Sequence, residues 1–221
     1  MTRPGHNILT AAEGANTPTH SRRRPKVDAI ILAAGQSKRM GGRNKLLQTL
    51  HGTPVVRHIV EAVLTSRARQ VIAVTGHESG AVVAALAGLD VTFAHNPDFA
   101  DGLSRSLACG IDAVANDTDG ALVCLGDMPQ IQSAHVDQLI AAFSPKDGRS
   151  ICVPVHAGRR GNPVLWAADF FSDLRATEGD TGARHLIARY ADLVSEVEVW
   201  SDAIFTDVDT PEALRRLRRT D

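Results

Sequence analysis

The chain has 221 residues, 24 Lys plus Arg against 25 Asp plus Glu, and 43% apolar residues. That length supports one full hydrophobic core and is short for two, and the balanced charge supplies no global field for nucleic acid or an anionic membrane. No uncharged run approaches the ~18 apolar residues that a spanning helix needs, and three cysteines without metal-ligand spacing read as buried free thiols of a reducing, cytoplasmic setting.

Residues 1–26 are rich in Thr, Asn, Gly, Ser and Pro, show no apolar period and end in a basic run at Arg22, Arg23, Arg24 and Lys26. Lacking the apolar core of a secretory signal, they predict a disordered tail, with a basic docking arm as the rival reading. The apolar run 27–33 then predicts a buried strand. It stops at Gly35 and gives way to a loop with Gly41, Gly42 and the cations Lys38, Arg39, Arg43 and Lys45. Glycine allows positive φ and close backbone approach, and loop N–H groups can cradle phosphate oxygens. The spacing fits neither the P-loop nor the dinucleotide fingerprint. A phosphate-binding loop and an ordinary basic surface loop both remain open on composition alone.

Thr53 and Pro54 can serve as N-cap and first residue of a helix, with Val55, Val56, Ile59, Val60, Val63 and Leu64 on its inner face. Strands are expected at 71–75, 91–94 and 121–125. Helices are expected at 79–87, with Val82, Val83 and Leu86 inward, and at 103–114 and 133–143. This alternation with short connections predicts a parallel sheet covered on both faces. Ligands of such sheets bind beyond the carboxyl ends of the strands, where the first loop falls.

Gly102 precedes a helix with Ser104 and Ser106 in its first turn, which places N–H and hydroxyl donors at a positive dipole end; capping explains one of the serines equally well. Asp127 follows a buried strand between Gly126 and Pro129, and Mg²⁺ prefers one or two such carboxylates together with phosphate oxygens. Beyond residue 145 come a strand at 150–155, a turn at 158–163 and a returning strand at 164–166. Arg159 and Arg160 at that tip could grip a second anion or simply face solvent. Thr181 is a candidate N-cap for a helix reaching Tyr190, flanked by Asp180 and Arg184, and His185 reads as structural. A strand at 197–200 is followed by Asp207, Val208 and Asp209, whose alternation puts both carboxylates on one face of an extended segment. Pro211 then opens an Arg-rich helix that Thr210 or Asp209 could cap.

The string Leu32-Ala33-Ala34-Gly35-x-Ser37-x-Arg39-Met40-Gly41, followed by Asn44-Lys45-Leu46-Leu47, is similar to the opening loop of the MobA-like nucleotidyltransferases. Among these it most resembles the molybdenum cofactor cytidylyltransferases. Gly126-Asp127-Met128-Pro129, the Gly161-Asn162-Pro163 stretch, the 179–184 segment and Asp207-Val208-Asp209-Thr210-Pro211 extend the resemblance over about 27–219. It implies a three-layer αβα fold with a mostly parallel, Rossmann-like sheet of the nucleotide-diphospho-sugar transferase type. In that scheme a single domain spans 27–221, with a nucleotide half at about 27–145 and an acceptor half at about 146–221.

The implied activity is transfer of CMP from Mg·CTP to molybdopterin-type molybdenum cofactor with release of pyrophosphate. By resemblance the nucleotide site comprises Leu32, Ala33, Ala34, Gly35, Ser37, Arg39, Met40, Gly41, Lys45, Thr75, Asn96, Gly102 and Ser104. Arg39, Lys45 and Asp127 are the catalytic group, and Asp127 with Asp209 holds Mg²⁺ (or Mn²⁺). Arg159, Arg160, Gly161, Asn162, Asp180 and Arg184 face the acceptor. A molybdoenzyme or its chaperone is the implied protein partner. The rival functions are transfer with another base or phosphorylated acceptor, and a non-catalytic module that holds cofactor for insertion.

Overall fold

The computed structural model describes residues 23–179 and 182–219. Along the chain lie β1 (Val27–Ala33), β2 (Thr49–Leu50), β3 (Thr53–Pro54), α1 (Val55–Leu64), β4 (Gln70–Thr75) and α2 (Ser79–Ala85). Then come β5 (Thr92–His95), α3 (Leu103–Ala113), β6 (Gly120–Leu125), α4 (Ser133–Ala142), β7 (Ile151–His156), β8 (Arg159–Arg160) and β9 (Val164–Ala167). The chain closes with α5 (Phe171–Arg175), α6 (Arg184–Arg189), β10 (Val194–Glu198) and α7 (Pro211–Leu217).

The main sheet runs β10-β7-β9-β6-β1-β4-β5, with β8 attached to β7. Strand β1 lies parallel between β4 and β6, and β10 lies parallel to β7. Among the described residues of this sheet only β8 and β9 run antiparallel to their neighbours, and β2 and β3 form a separate antiparallel pair. Helices cover the sheet, so this is the expected three-layer, mostly parallel architecture. Every residue of β1 is buried, which is why, Asp28 apart, it reads as an apolar run rather than an alternating one.

Several local expectations shift. Pro54 ends β3 and occupies the N-cap of α1, so the helix starts one residue later than expected. Val82 and Leu86 point inward four residues apart, while Val83, one position around the helix, is 38% exposed. The last strand lies at Val194–Glu198, and Trp200 falls beyond it, exposed. The stretch 150–166 is not a free hairpin: β9 inserts between β6 and β7 and pairs with both. Of the 1–26 tail, residues 1–22 lie outside the described residues. Arg23 pairs with Asp119, and Lys26 pairs with Asp117 while its backbone N–H donates to Asp119.

One charge is buried inside the first strand. Asp28, the second residue of β1 and fully buried, receives Arg69 Nε and Nη2 at 2.8 Å each, plus Gln70 Nε2 and the Ala115 N–H. Its two oxygens therefore have four donors, the condition under which a buried carboxylate is tolerable. Arg69→Ala, which strands that charge, is expected to lower unfolding stability by about 3 kcal/mol, read as a shift of the urea midpoint with unchanged slope. No helix among the described residues is long and apolar enough to cross a membrane.

Candidate active site

The loop after β1 is held in shape by its own polar groups. Ser37 takes a left-handed conformation at φ 53°, and its Oγ accepts the Lys45 N–H at 3.0 Å. Asn44 Oδ1 accepts the Leu46 N–H at 3.0 Å. These clasps turn the chain back so that Lys45, eight residues after Ser37, points into the cleft beside Gly35, Lys38 and Arg39.

Asp127 enters from β6. Gly126 donates its N–H to Leu32 O at 3.0 Å, and a Cβ on Gly126 would stand 2.9 Å from that oxygen. Only glycine allows β1 and β6 to stay paired to this point. The third segment of the site comes from far along the chain: Val208 N–H donates to Asp127 O at 2.9 Å. Val208 is fully buried in a small core with Leu50, Val55, Leu214 and Leu217. That one backbone bond sets Asp207 and Asp209 on either side of an inward Val208, beside the Asp127 side chain.

Oxygens of Asp127, Asp207 and Asp209 lie within 4.8 Å of one another. Lys45 Nζ reaches Asp127 and, at 2.5 Å, Asp209, and Arg39 Nη1 meets Asp209 at 2.6 Å. Burial would push the Lys45 ammonium down, but Asp127 and then Asp209 outweigh it and the pKa is raised. Burial likewise opposes ionisation of Asp209, yet Lys45 and Arg39 bring its carboxyl below the usual range. Asp207 has no cation in direct contact among the described residues: burial, then repulsion by Asp209 and Asp127, raises it against a weaker pull from Lys45. Asp127 Oδ1 is buried with no hydrogen-bond partner. An all-oxygen donor set with one oxygen unsatisfied fits a hard divalent cation.

Neither Asp127 nor Asp209 serves as a helix cap. Gln132 occupies the N-cap of α4, and Thr210 Oγ1 caps α7 by accepting the Ala213 N–H at 3.2 Å.

The expected nucleotide residues divide into those on the cleft and those behind it. Leu32, Ala34, Gly35, Ser37, Arg39, Lys45 and Gly102 line a cleft of about 600 Å³ that also holds Asp127 and Asp209. Gly102 sits at φ 111°, ψ 179°, a conformation open only to glycine. Ala33 is buried in the core, and Met40 and Gly41 line a smaller depression against α7 instead. Thr75 is buried and its hydroxyl turns to Ala94 O. Asn96 is also buried, accepting the Asp98 N–H and donating to Ser106 Oγ at 3.1 Å. It braces the loop that presents Phe99 to the cleft. Ser104 is buried and its N–H donates to Gly179 O at 3.2 Å; Ser106 lines the cleft in its place. Two positions along a helix differ by about 200°, so both serines could not face one ligand.

On the acceptor side, Arg160, Gly161, Asn162 and Arg184 line a second cavity of about 610 Å³ walled by Leu107, Val123, Val153, Trp166 and Ile187. Arg160 Nε also meets Glu196 at 2.7 Å. Arg159 does not line it; its guanidinium lies over the Phe205 ring at 4.5 Å. Asp180 and Thr181 lie outside the described residues, and α6 begins only at Arg184.

Residues on the cleft that were not among the expected site include Asp207, Phe99, Ser106 and Lys38. The Asp207-Val208-Asp209 alternation carried the signal for Asp207, since it put both acids on one face.

The model of the MobA-like NTP transferase domain matches residues 29–194. Nicotine blue oxidoreductase of Paenarthrobacter nicotinovorans is 29% identical over 87% of this chain and 97% of its own. Molybdenum cofactor cytidylyltransferase of Escherichia coli K12 is 30% identical over 84% of this chain and 92% of its own. A Mycobacterium tuberculosis H37Rv protein solved as a complex with manganese superimposes with a TM-score of 0.73 at 26% identity, covering 89% of this chain and all of its own.

Proposed function

The chain belongs to the MobA-like NTP transferase family, and on that premise we propose that it transfers CMP from Mg·CTP to a molybdopterin-type molybdenum cofactor, releasing pyrophosphate. The observation that carries this reading is the convergence of Asp127, Asp207 and Asp209 with Lys45 and Arg39 at the carboxyl edge of the sheet. A phosphate oxygen of the acceptor attacks the α-phosphorus of CTP. A new phosphoanhydride P–O bond forms, and the bond from the α-phosphorus to the bridging oxygen breaks as pyrophosphate leaves.

The acceptor phosphate is already anionic, so no side chain need remove a proton. The protein supplies charge and alignment. Lys45 and Arg39 offset charge on the triphosphate, and the loop clasped by Ser37 and Asn44 holds them in place. Asp127, Asp207 and Asp209 would hold the divalent cation, Mg²⁺ or Mn²⁺, which supplies further charge neutralisation at the phosphates. The manganese complex of a structural relative supports that choice of ion. The second cavity receives the acceptor, and free thiols at Cys109, Cys124 and Cys152 support a reducing, cytoplasmic setting.

A different acceptor is the second reading, favoured by the relative named for nicotine blue rather than molybdenum cofactor. Pyrophosphate release with each of the four NTPs, with and without molybdopterin, tests both readings. CTP should exceed GTP by roughly tenfold or more in kcat/KM. Equal rates with CTP and GTP remove the cytidylyl assignment, and turnover without any response to molybdopterin removes the acceptor.

A further inference from the structure

The nucleotide cleft and the apolar cavity share Leu32, Leu103, Leu125 and Arg184. Arg184 is the one charged side chain common to both linings, and its guanidinium has no hydrogen-bond or ion-pair partner among the described residues. Its place is set from the start of α3. The Ser104 N–H holds Gly179 O at 3.2 Å. Gly182, at φ 56°, lies so close to the same helix that a Cβ there would stand 3.1 Å from Leu103 Cδ2. Two points just ahead of Arg184 are thus fixed to the helix start that walls both cavities.

Resting on the two-substrate reading above, the geometry points to Arg184 as the positioning residue at which the nucleotide's phosphates and an anionic end of the acceptor share one cation, with a flat apolar ring of the acceptor in the cavity behind it. Two phosphates brought close together repel. A guanidinium between them has five N–H donors in a rigid fork, enough to serve two oxyanions at once. Its presence turns mutual exclusion into mutual recruitment, and such coupling is reciprocal. The other cations are placed differently: Arg160 lines only the apolar cavity and meets Glu196, whereas Lys38, Arg39 and Lys45 line only the nucleotide cleft, the last two meeting Asp209. The walls explain the ring, since Val123, Val153, Trp166 and Ile187 offer apolar area and few partners for a polyhydroxylated sugar.

The test is calorimetry on the full-length protein with Mg²⁺, a non-hydrolysable CTP analogue and two probes. These are 1-naphthyl phosphate and 1-naphthol, the same bicyclic ring with and without the anion. The analogue should tighten 1-naphthyl phosphate about tenfold and leave 1-naphthol unaffected. In Arg184→Ala, with an unchanged melting temperature, the analogue should weaken 1-naphthyl phosphate instead, and Arg184→Lys should restore part of the tightening. Undiminished coupling in Arg184→Ala overturns the assignment. So does an equal response of 1-naphthol, or failure of 1-naphthyl phosphate to bind the nucleotide-loaded protein. Should the CTP analogue not bind, the analogue of whichever other NTP does bind takes its place, so that loss of the cytidylyl reading and loss of this one give different results.

Discussion

Asp209→Asn is expected to lower kcat/KM about 100-fold or more and to raise the Mg²⁺ concentration for half-maximal rate about tenfold, with little change in melting temperature. Asp209 is joined to two of the four cations of the first loop, Lys45 at 2.5 Å and Arg39 at 2.6 Å. Its carboxyl is thereby kept ionised and ready to ligate. Asn keeps the shape and loses the charge. Stability should survive because the cap of α7 is Thr210 and the anchor of the segment is the buried Val208. Asp207→Asn, removing an acid with no cation against it, should have a smaller effect, about tenfold in rate. Equal losses in the two mutants would show that the acids act as one charge cluster without distinct roles. A native-like Asp209→Asn would remove the carboxylate from the chemistry altogether.

Lys45→Ala is expected to lower turnover by two or more orders of magnitude while the protein stays folded. A second, non-kinetic consequence follows from where the ammonium sits. Lys45 Nζ bridges Asp127 and Asp209, so it competes with a divalent cation for the same oxygens. Removing it leaves Arg39, paired with Asp209, as the one close cation recorded against three neighbouring carboxylates among the described residues, which lowers stability without metal. Added Mg²⁺ should then raise the melting temperature of Lys45→Ala more than that of the wild type, by the linkage between binding and folding. Thermal unfolding with and without Mg²⁺ measures this directly. A smaller Mg²⁺ effect in the mutant would mean that the lysine and the metal use different groups.

Much of the catalytic edge was legible because its parts lie at breaks in hydrophobic pattern. An apolar run that stops at a glycine-rich, cationic loop locates Gly35, Arg39 and Lys45, and an apolar run that stops at Gly126 locates Asp127. The alternation about Val208 likewise foretold which side chains share a face. The less successful assignments concern residues whose type suits a ligand but whose side chain meets the protein. Thr75, Asn96 and Ser104 carry donors, yet each is buried, and their recorded hydrogen bonds are to Ala94, Asp98, Ser106 and Gly179. Arg159 had charge and exposure in its favour, but Phe205, distant in sequence, takes its guanidinium.

The sequence by itself determined the main alternation of strands and helices, the cationic loop that lines the cleft and two of the three clustered acids. Local pattern is enough for these, because burial on both faces and the stop of a strand are properties of neighbouring residues. Tertiary structure decided the rest. The Val208–Asp127 backbone bond, between residues 81 positions apart, makes three acids into one cluster with Lys45. The insertion of β9 between β6 and β7 helps form the apolar cavity, with Val164 and Trp166 among its walls. The contacts of Gly179 and Gly182 with the start of α3 bring Arg184 to the border of both cavities. Each depends on pairings between distant segments, which no local periodicity specifies.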